Sequence, residues 1–157
     1  MITRRAALWA MGLTEFPLWA GANDGKAAGA LPQPKSLATE LERALAARKA
    51  LVLLVSLEGC PYCNLVRGSY LAPLREQGQP VAQIEWGRAT ALADLQGRAS
   101  THDAVVRAFG VRLAPTVLFL GRGGKEAARR LAGMAIPDFY GAYLSERVES
   151  ANREVAA

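Results

Sequence analysis

Apolar positions recur along this chain with two periods, and the alternation between them lays out the elements. Leu37, Leu41, Ala44 and Leu45 follow Ser36 at helical spacing, with Arg48 and Lys49 at the far end, which predicts a capped helix. Ala50 to Leu57 is a continuous β-rich run, the pattern of a strand buried on both faces. After the turn Glu58-Gly59, a helix is predicted from Pro61, turning Leu65 and Val66 inward and breaking near Pro73. Gly78-Gln79-Pro80 reads as a turn and Val81 to Trp86 as a second strand.

Gly87 to Ala99 has weak periodicity and reads as a loop with a short helical turn around Ala91 to Leu95. Ser100 or Thr101 then caps a helix with Asp103 in its first turn, Val105, Val106 and Phe109 on its apolar face, and Gly110 at its end. Thr116 to Leu120 is another buried strand, Gly121-Arg122-Gly123-Gly124 a tight return, and Glu126 to Leu131 an antiparallel edge strand. Ile136, Tyr140, Leu144 and Val148 form one stripe on a last helix that starts near Pro137. The first half is thus a βαβ crossover and the second a hairpin closed by a helix. An α/β domain follows, with a central mixed β-sheet flanked by helices on both faces.

Composition narrows the class. A chain of 157 residues with 51% hydrophobic side chains holds one domain with a core large enough to need no disulfide for its fold. The formal charge of +5 is spread over separated arginines such as Arg43, Arg67, Arg98, Arg107 and Arg129, without interleaved aromatics. That is a solvated surface, and no nucleic-acid partner is expected. The protein is expected to act as a monomer.

The N-terminus reads differently. Thr3-Arg4-Arg5 precedes the apolar run Ala6 to Leu13, and small residues, Ala20-Gly21-Ala22, follow. Basic start, apolar middle and small-residue exit describe an export signal over residues 1–22, with the paired arginines loosely matching a twin-arginine signal. The competing reading is a disordered or interfacial N-terminal helix. The run is far shorter than the ~20 apolar residues of a membrane span, so no permanent transmembrane helix is expected. Residues 23–35, rich in Gly, Ala and Pro, read as a linker to a domain at 36–157, and a second small-residue exit at Ala28-Gly29-Ala30 offers another cleavage site.

The candidate chemistry lies between the first strand and its helix. The only two cysteines stand as Cys60-Pro61-Tyr62-Cys63. Unpaired N–H groups at a helix start favour a thiolate over a thiol, and Pro61 fits the first turn because its missing donor costs nothing there. One helical turn separates the sulfurs, close enough for a disulfide. Two plainer readings remain open: a structural disulfide, and half of a zinc site. The latter has only His102 and carboxylates to complete four ligands. His102, at a helix start, reads as a surface residue. Glu58 is a candidate proton relay, or simply a solvated turn residue. Trp86 and the 87–99 loop are read as a variable connection.

The chain resembles the thioredoxin superfamily. The resemblance rests on the strand ending in Glu58-Gly59-Cys60-Pro61-Tyr62-Cys63, the segment Phe109-Gly110-Val111-Arg112-Leu113-Ala114-Pro115-Thr116, the strand and hairpin Val117 to Gly124, and Gly133 with the final helix. It implies the thioredoxin fold and a thiol:disulfide oxidoreductase that needs no bound cofactor beyond its own Cys60–Cys63 couple. It implies Cys60 as the nucleophile and Cys63 as the resolving thiol. It also implies a cis bond before Pro115, and a substrate groove of Gly59, Pro61, Tyr62, Ala114 and Pro115, where the backbone of Ala114 pairs with a client strand.

Departures define the branch. Ordinary thioredoxins carry a buried acid where this chain has Leu54 and a tryptophan where it has Gly59. The Pro-Tyr pair is similar to that of glutaredoxins, but their Gly-Gly-x-Asp-Asp region has no counterpart, since Gly123-Gly124 is followed by Lys125-Glu126. With the export signal, the chain is similar to exported thioredoxin-like reductases such as the thioredoxin of sulfur-oxidation systems. Periplasmic reduction of protein disulfides, fed by a membrane thiol-disulfide electron donor, is the expected activity. A disulfide oxidant or isomerase, or a non-catalytic partner-binding module, are the alternatives.

Overall fold

The computed structural model describes residues 29–157. The expected export signal and residues 23–28 of the expected linker lie outside the described residues. The organising element is β1 (Leu51–Ser56), buried along its whole length. It pairs in parallel with β2 (Val81–Glu85), from Val52 opposite Val81 to Ser56 opposite Glu85. On its other side it pairs antiparallel with β5 (Thr116–Leu120), which pairs antiparallel with β6 (Glu126–Ala132). The sheet order is β2-β1-β5-β6, a mixed sheet as the pattern predicts.

A run of apolar residues on a strand places alternate side chains on opposite faces, and both faces are covered. Val52, Leu54, Val117 and Phe119 pack with Val66, Leu71, Tyr140, Leu144 and Val148. Leu51, Leu53, Val55, Leu118 and Leu120 pack instead with Leu37, Leu41, Val105 and Val106. The second face is thus covered by α1 (Leu37–Ala46) and α4 (His102–Ala108), the first by the cysteine helix and α5 (Pro137–Ala156). Ser36 caps α1 by accepting the Thr39 N–H at 3.2 Å, and Thr101 caps α4 by accepting that of Ala104 at 3.2 Å. No helix among the described residues is long and apolar enough to cross a membrane.

Four local expectations are corrected. The helix that follows the cysteines does not break near Pro73. It runs as α2 (Pro61–Leu65), one wide π turn (Val66–Leu71) and α3 (Ala72–Glu76). The Ala72 N–H reaches back five residues to the Arg67 carbonyl. Pro73 has no N–H to continue a regular ladder, and its ring would press on the carbonyl four residues earlier; the widened turn removes the conflict and lets the helix continue. On this helix Val66 is buried but Leu65 stays exposed, so only one of the pair turns inward.

The second correction concerns residues 87–99. No helical turn forms around Ala91 to Leu95. Ala91–Ala93 is β3, paired antiparallel with β4 (Ala99–Thr101) in a separate two-stranded sheet. The Asp94 carboxylate closes the connection by accepting the N–H groups of Gln96 and Arg98 at 2.8 and 2.9 Å. Those bonds hold its pKa below the ordinary carboxylate value. The third correction lies in the described part of the linker. Leu31 is buried in the core, and the Pro32 carbonyl accepts the Gln83 N–H at 2.9 Å, covering the outer edge of β2. The packed domain therefore begins near Leu31. The fourth is His102, described with the site.

Candidate functional site

The parallel β1–β2 pair delivers its C-terminal end to the cysteine helix. Gly59 makes the turn with φ +72°, a backbone that glycine adopts freely and other residues resist. Cys60 is then the helix cap, in extended conformation, and Pro61 opens the first turn. Cys60 and Cys63 are joined in a disulfide, with their Cα atoms 5.2 Å apart. The Cys63 N–H donates to Cys60 Sγ at 3.1 Å. Cys60 keeps partial exposure while Cys63 is fully buried. One cysteine of the couple is thus partly exposed, its sulfur receiving a helix N–H, and the other is buried.

The β1–β5 register runs to Val55 opposite Thr116, so the turn before β5 lies at the same end of the sheet as the cysteines. The Ala114–Pro115 bond there is cis, as the resemblance implies. Pro115 is buried and Ala114 half-buried. Thr116 Oγ1 donates to the Leu113 carbonyl at 2.6 Å, and the Gly133 N–H donates to the Pro115 carbonyl at 2.7 Å, fixing the turn to the end of β6. Apolar side chains remain uncovered around this end: Tyr62 is 56% exposed, Leu113 52% and Leu57 44%.

Glu58 stands on the surface, 76% exposed, with its carboxylate 3.0 Å from Arg88. Leu54, which replaces the acid of ordinary thioredoxins, is fully buried in apolar surroundings. Further along the cysteine helix lies a polar cluster that the sequence does not single out. Arg67 donates through Nε to Gln83 Oε1 at 2.6 Å, through Nη1 to Asn64 Oδ1 at 2.7 Å and through Nη2 to Ser56 Oγ at 2.8 Å. Gln83, 4% exposed, passes the chain on to Glu85 Oε1 at 3.2 Å. Arg88 Nε lies 3.2 Å from the other Glu85 oxygen. A cleft of about 430 Å³ opens beside this cluster, between Leu31, Gln33, Asn64, Arg67 and Gln83. Asn64 and Arg67 stand at helical spacing, but nothing local in the sequence marks the partners Ser56 and Gln83.

His102 is corrected from surface to core. It is 1% exposed, and its Nδ1 accepts the Glu85 N–H at 3.1 Å. It thereby splices α4 to the end of β2. Burial disfavours the charged imidazole and lowers its pKa, with the Glu85 carboxylate opposing the shift. Among the described residues no group of three or more His, Cys, Asp and Glu side chains is gathered as a metal cluster.

The disulfide, with one partly exposed and one buried cysteine, and the Ala114-Pro115 turn at the same end of the sheet make up the candidate site. The family model for the thioredoxin-like domain matches residues 37–146, and the chain belongs to that family. No curated protein matches the sequence. Among solved structures, the DsbH oxidoreductase is 17% identical, with a TM-score of 0.52 over 80% of this chain and 88% of its own. The periplasmic thioredoxin SoxS from Paracoccus pantotrophus, in reduced form, is 19% identical, with a TM-score of 0.41 over 66% and 99%. A thioredoxin from Thermus thermophilus is 20% identical, with a TM-score of 0.49 over 76% and 87%. The architecture is the thioredoxin fold. Family membership and the Cys60–Cys63 couple support thiol–disulfide oxidoreductase activity in general.

Proposed function

We propose that this protein is an exported reductase of protein disulfides. Reduced Cys60 attacks one sulfur of a client disulfide as the thiolate. A Cys60–client disulfide forms, and the client's other sulfur leaves as a thiolate that takes up a proton. Cys63, deprotonated, then attacks Cys60 Sγ, closing the Cys60–Cys63 disulfide and releasing the second client thiol. Two electrons pass to the client. A membrane dithiol donor returns the couple to its reduced form.

The observation that carries this reading is the asymmetry of the couple, an accessible Cys60 receiving the Cys63 N–H and a Cys63 with no exposure. Gly59, Pro61, Tyr62, Ala114 and Pro115 supply the client groove, where the half-buried Ala114 offers backbone for a client strand. Glu58, two residues before Cys60, is the candidate relay for the proton of the resolving step. Export rests on the sequence pattern at Arg4-Arg5 and Ala20-Gly21-Ala22.

Turnover in an insulin-reduction assay tests catalysis, and equilibration with glutathione tests direction. Reduction of insulin with a potential below that of the glutathione pool supports the reading. A potential well above it assigns oxidation instead, and absence of turnover reduces the protein to a binding module. Finding the intact Met1 chain only in the cytosol of its host would refute export.

A further inference from the structure

Arg67 occupies an unusual electrostatic position. It lies four residues beyond Cys63, in the wide turn that continues the cysteine helix. Its three hydrogen bonds go to an amide oxygen of Gln83, an amide oxygen of Asn64 and a hydroxyl of Ser56. All three partners are neutral, and among the described residues no carboxylate forms an ion pair with it. The nearby carboxylates are held elsewhere: Glu58 and Glu85 both pair with Arg88. His102, whose Nδ1 accepts the Glu85 N–H, is buried, and burial disfavours its charged form. The site that holds Leu54 in place of a buried acid therefore carries, about one helical turn beyond Cys63, a cation held by neutral partners.

We infer that Arg67 is a positioning residue that holds Cys60 as a thiolate and raises the reduction potential of the Cys60–Cys63 couple. This deepens the dithiol reading above and rests on it. The logic is electrostatic. A guanidinium fixed by three short bonds cannot swing away when the disulfide opens, and a cation near a sulfur favours its ionised form. The thiolate exists only in the reduced state, so the cation stabilises that state over the disulfide. Ser56 ends β1 and Gln83 lies in β2, so the same bonds brace the cysteine helix on the two strands that deliver it. A brace alone would set stability; the charge sets the thiolate and the potential. The two roles separate in experiment.

Three forms of the full chain decide it: wild type, Arg67→Lys and Arg67→Gln. The pH dependence of iodoacetamide reaction with the reduced protein reads the Cys60 pKa. Equilibration with glutathione reads the couple. Arg67→Gln is expected to raise the Cys60 pKa by about half to one unit and to move the glutathione equilibrium about three- to tenfold toward the disulfide. Arg67→Lys is expected to keep most of the pKa while losing thermal stability as Arg67→Gln does, because a lysine carries the charge without the fork. An unshifted pKa in Arg67→Gln, or equal shifts in both variants, would overturn the inference. A measurement on the wild type stands independent of variant folding: the Arg67 Nε–H resonance of the reduced protein should titrate with the Cys60 pKa. A resonance that stays flat through that titration sinks the idea. Wild-type protein inactive on insulin but with the Arg67 dependence intact would unseat the reductase reading and leave this one standing.

Discussion

The backbone N–H of Cys63 donates to Cys60 Sγ at 3.1 Å, so the residue that lies fully buried serves the sulfur that does not. The same donor is available to a Cys60 thiolate once the disulfide opens, and a hydrogen bond to the charged form lowers a thiol's pKa. Alkylation of the reduced protein at mildly acidic pH is therefore expected at Cys60 first. Peptide mapping after brief iodoacetamide treatment measures it. Preferential labelling of Cys63 would reverse the two roles.

The order of attack makes a second prediction. On the proposed order, Cys63→Ser keeps the attacking thiol and removes the one that releases the client, so mixed disulfides should accumulate. Cys60→Ser leaves only the buried thiol and should trap far less. Non-reducing gels of both variants, expressed in the native host, give the comparison. Equal trapping would argue against ordered exchange.

Stability should fall with pH through His102. Its folded-state pKa is lowered by burial, so the unfolded chain binds the proton more tightly. By linkage its contribution is complete above the unfolded value of about 6.5 and is lost as pH falls from there toward the lowered folded value. His102→Asn keeps a neutral acceptor near the position of Nδ1 and does not titrate. Thermal melts of the wild type should drop between pH 7 and 5 by more than those of the variant. Parallel pH profiles would remove His102 as the cause.

What the sequence reveals and what it hides follow the range of the forces involved. β1 and β5 are legible because Leu51 to Val55 and Thr116 to Leu120 are unbroken runs that only a doubly covered strand needs. Cys60 is legible because its position after that strand is local information. His102 is not, because its burial depends on the Glu85 N–H at the end of another strand. Arg67 is hidden for the same reason: its partners Ser56 and Gln83 are 11 and 16 residues away in sequence. Pro73 misleads because breaking a helix and widening one turn are alternative answers to the same missing donor, and the core contact of Leu71 favours the second. Ala91 to Ala93 forms a strand only because Ala99 to Thr101 lies opposite, which the sequence pattern of either segment does not state.

The last prediction concerns where the folded domain begins. Pattern alone puts its start at Ser36, but Leu31 is only 8% exposed within the core cluster of the cysteine-helix face. The Pro32 carbonyl also receives the Gln83 N–H, at the residue whose side chain supports Arg67. A chain starting at Ser36 loses both. Burial of one leucine contributes about 1.5–3 kcal/mol, and an unpaired N–H on a buried strand edge adds about 1–3 kcal/mol. Chemical denaturation of chains starting at Gly29 and at Ser36 should therefore differ by at least about 2 kcal/mol, with the shorter one less stable. Leu31→Ala in the longer chain should recover part of the difference. The consequence reaches processing. On the proposed export, a signal peptidase cut after Ala22 or after Ala30 would keep Leu31, whereas a cut beyond it would remove a core residue. Equal stability of the two chains would return residues 29–35 to the status of a linker.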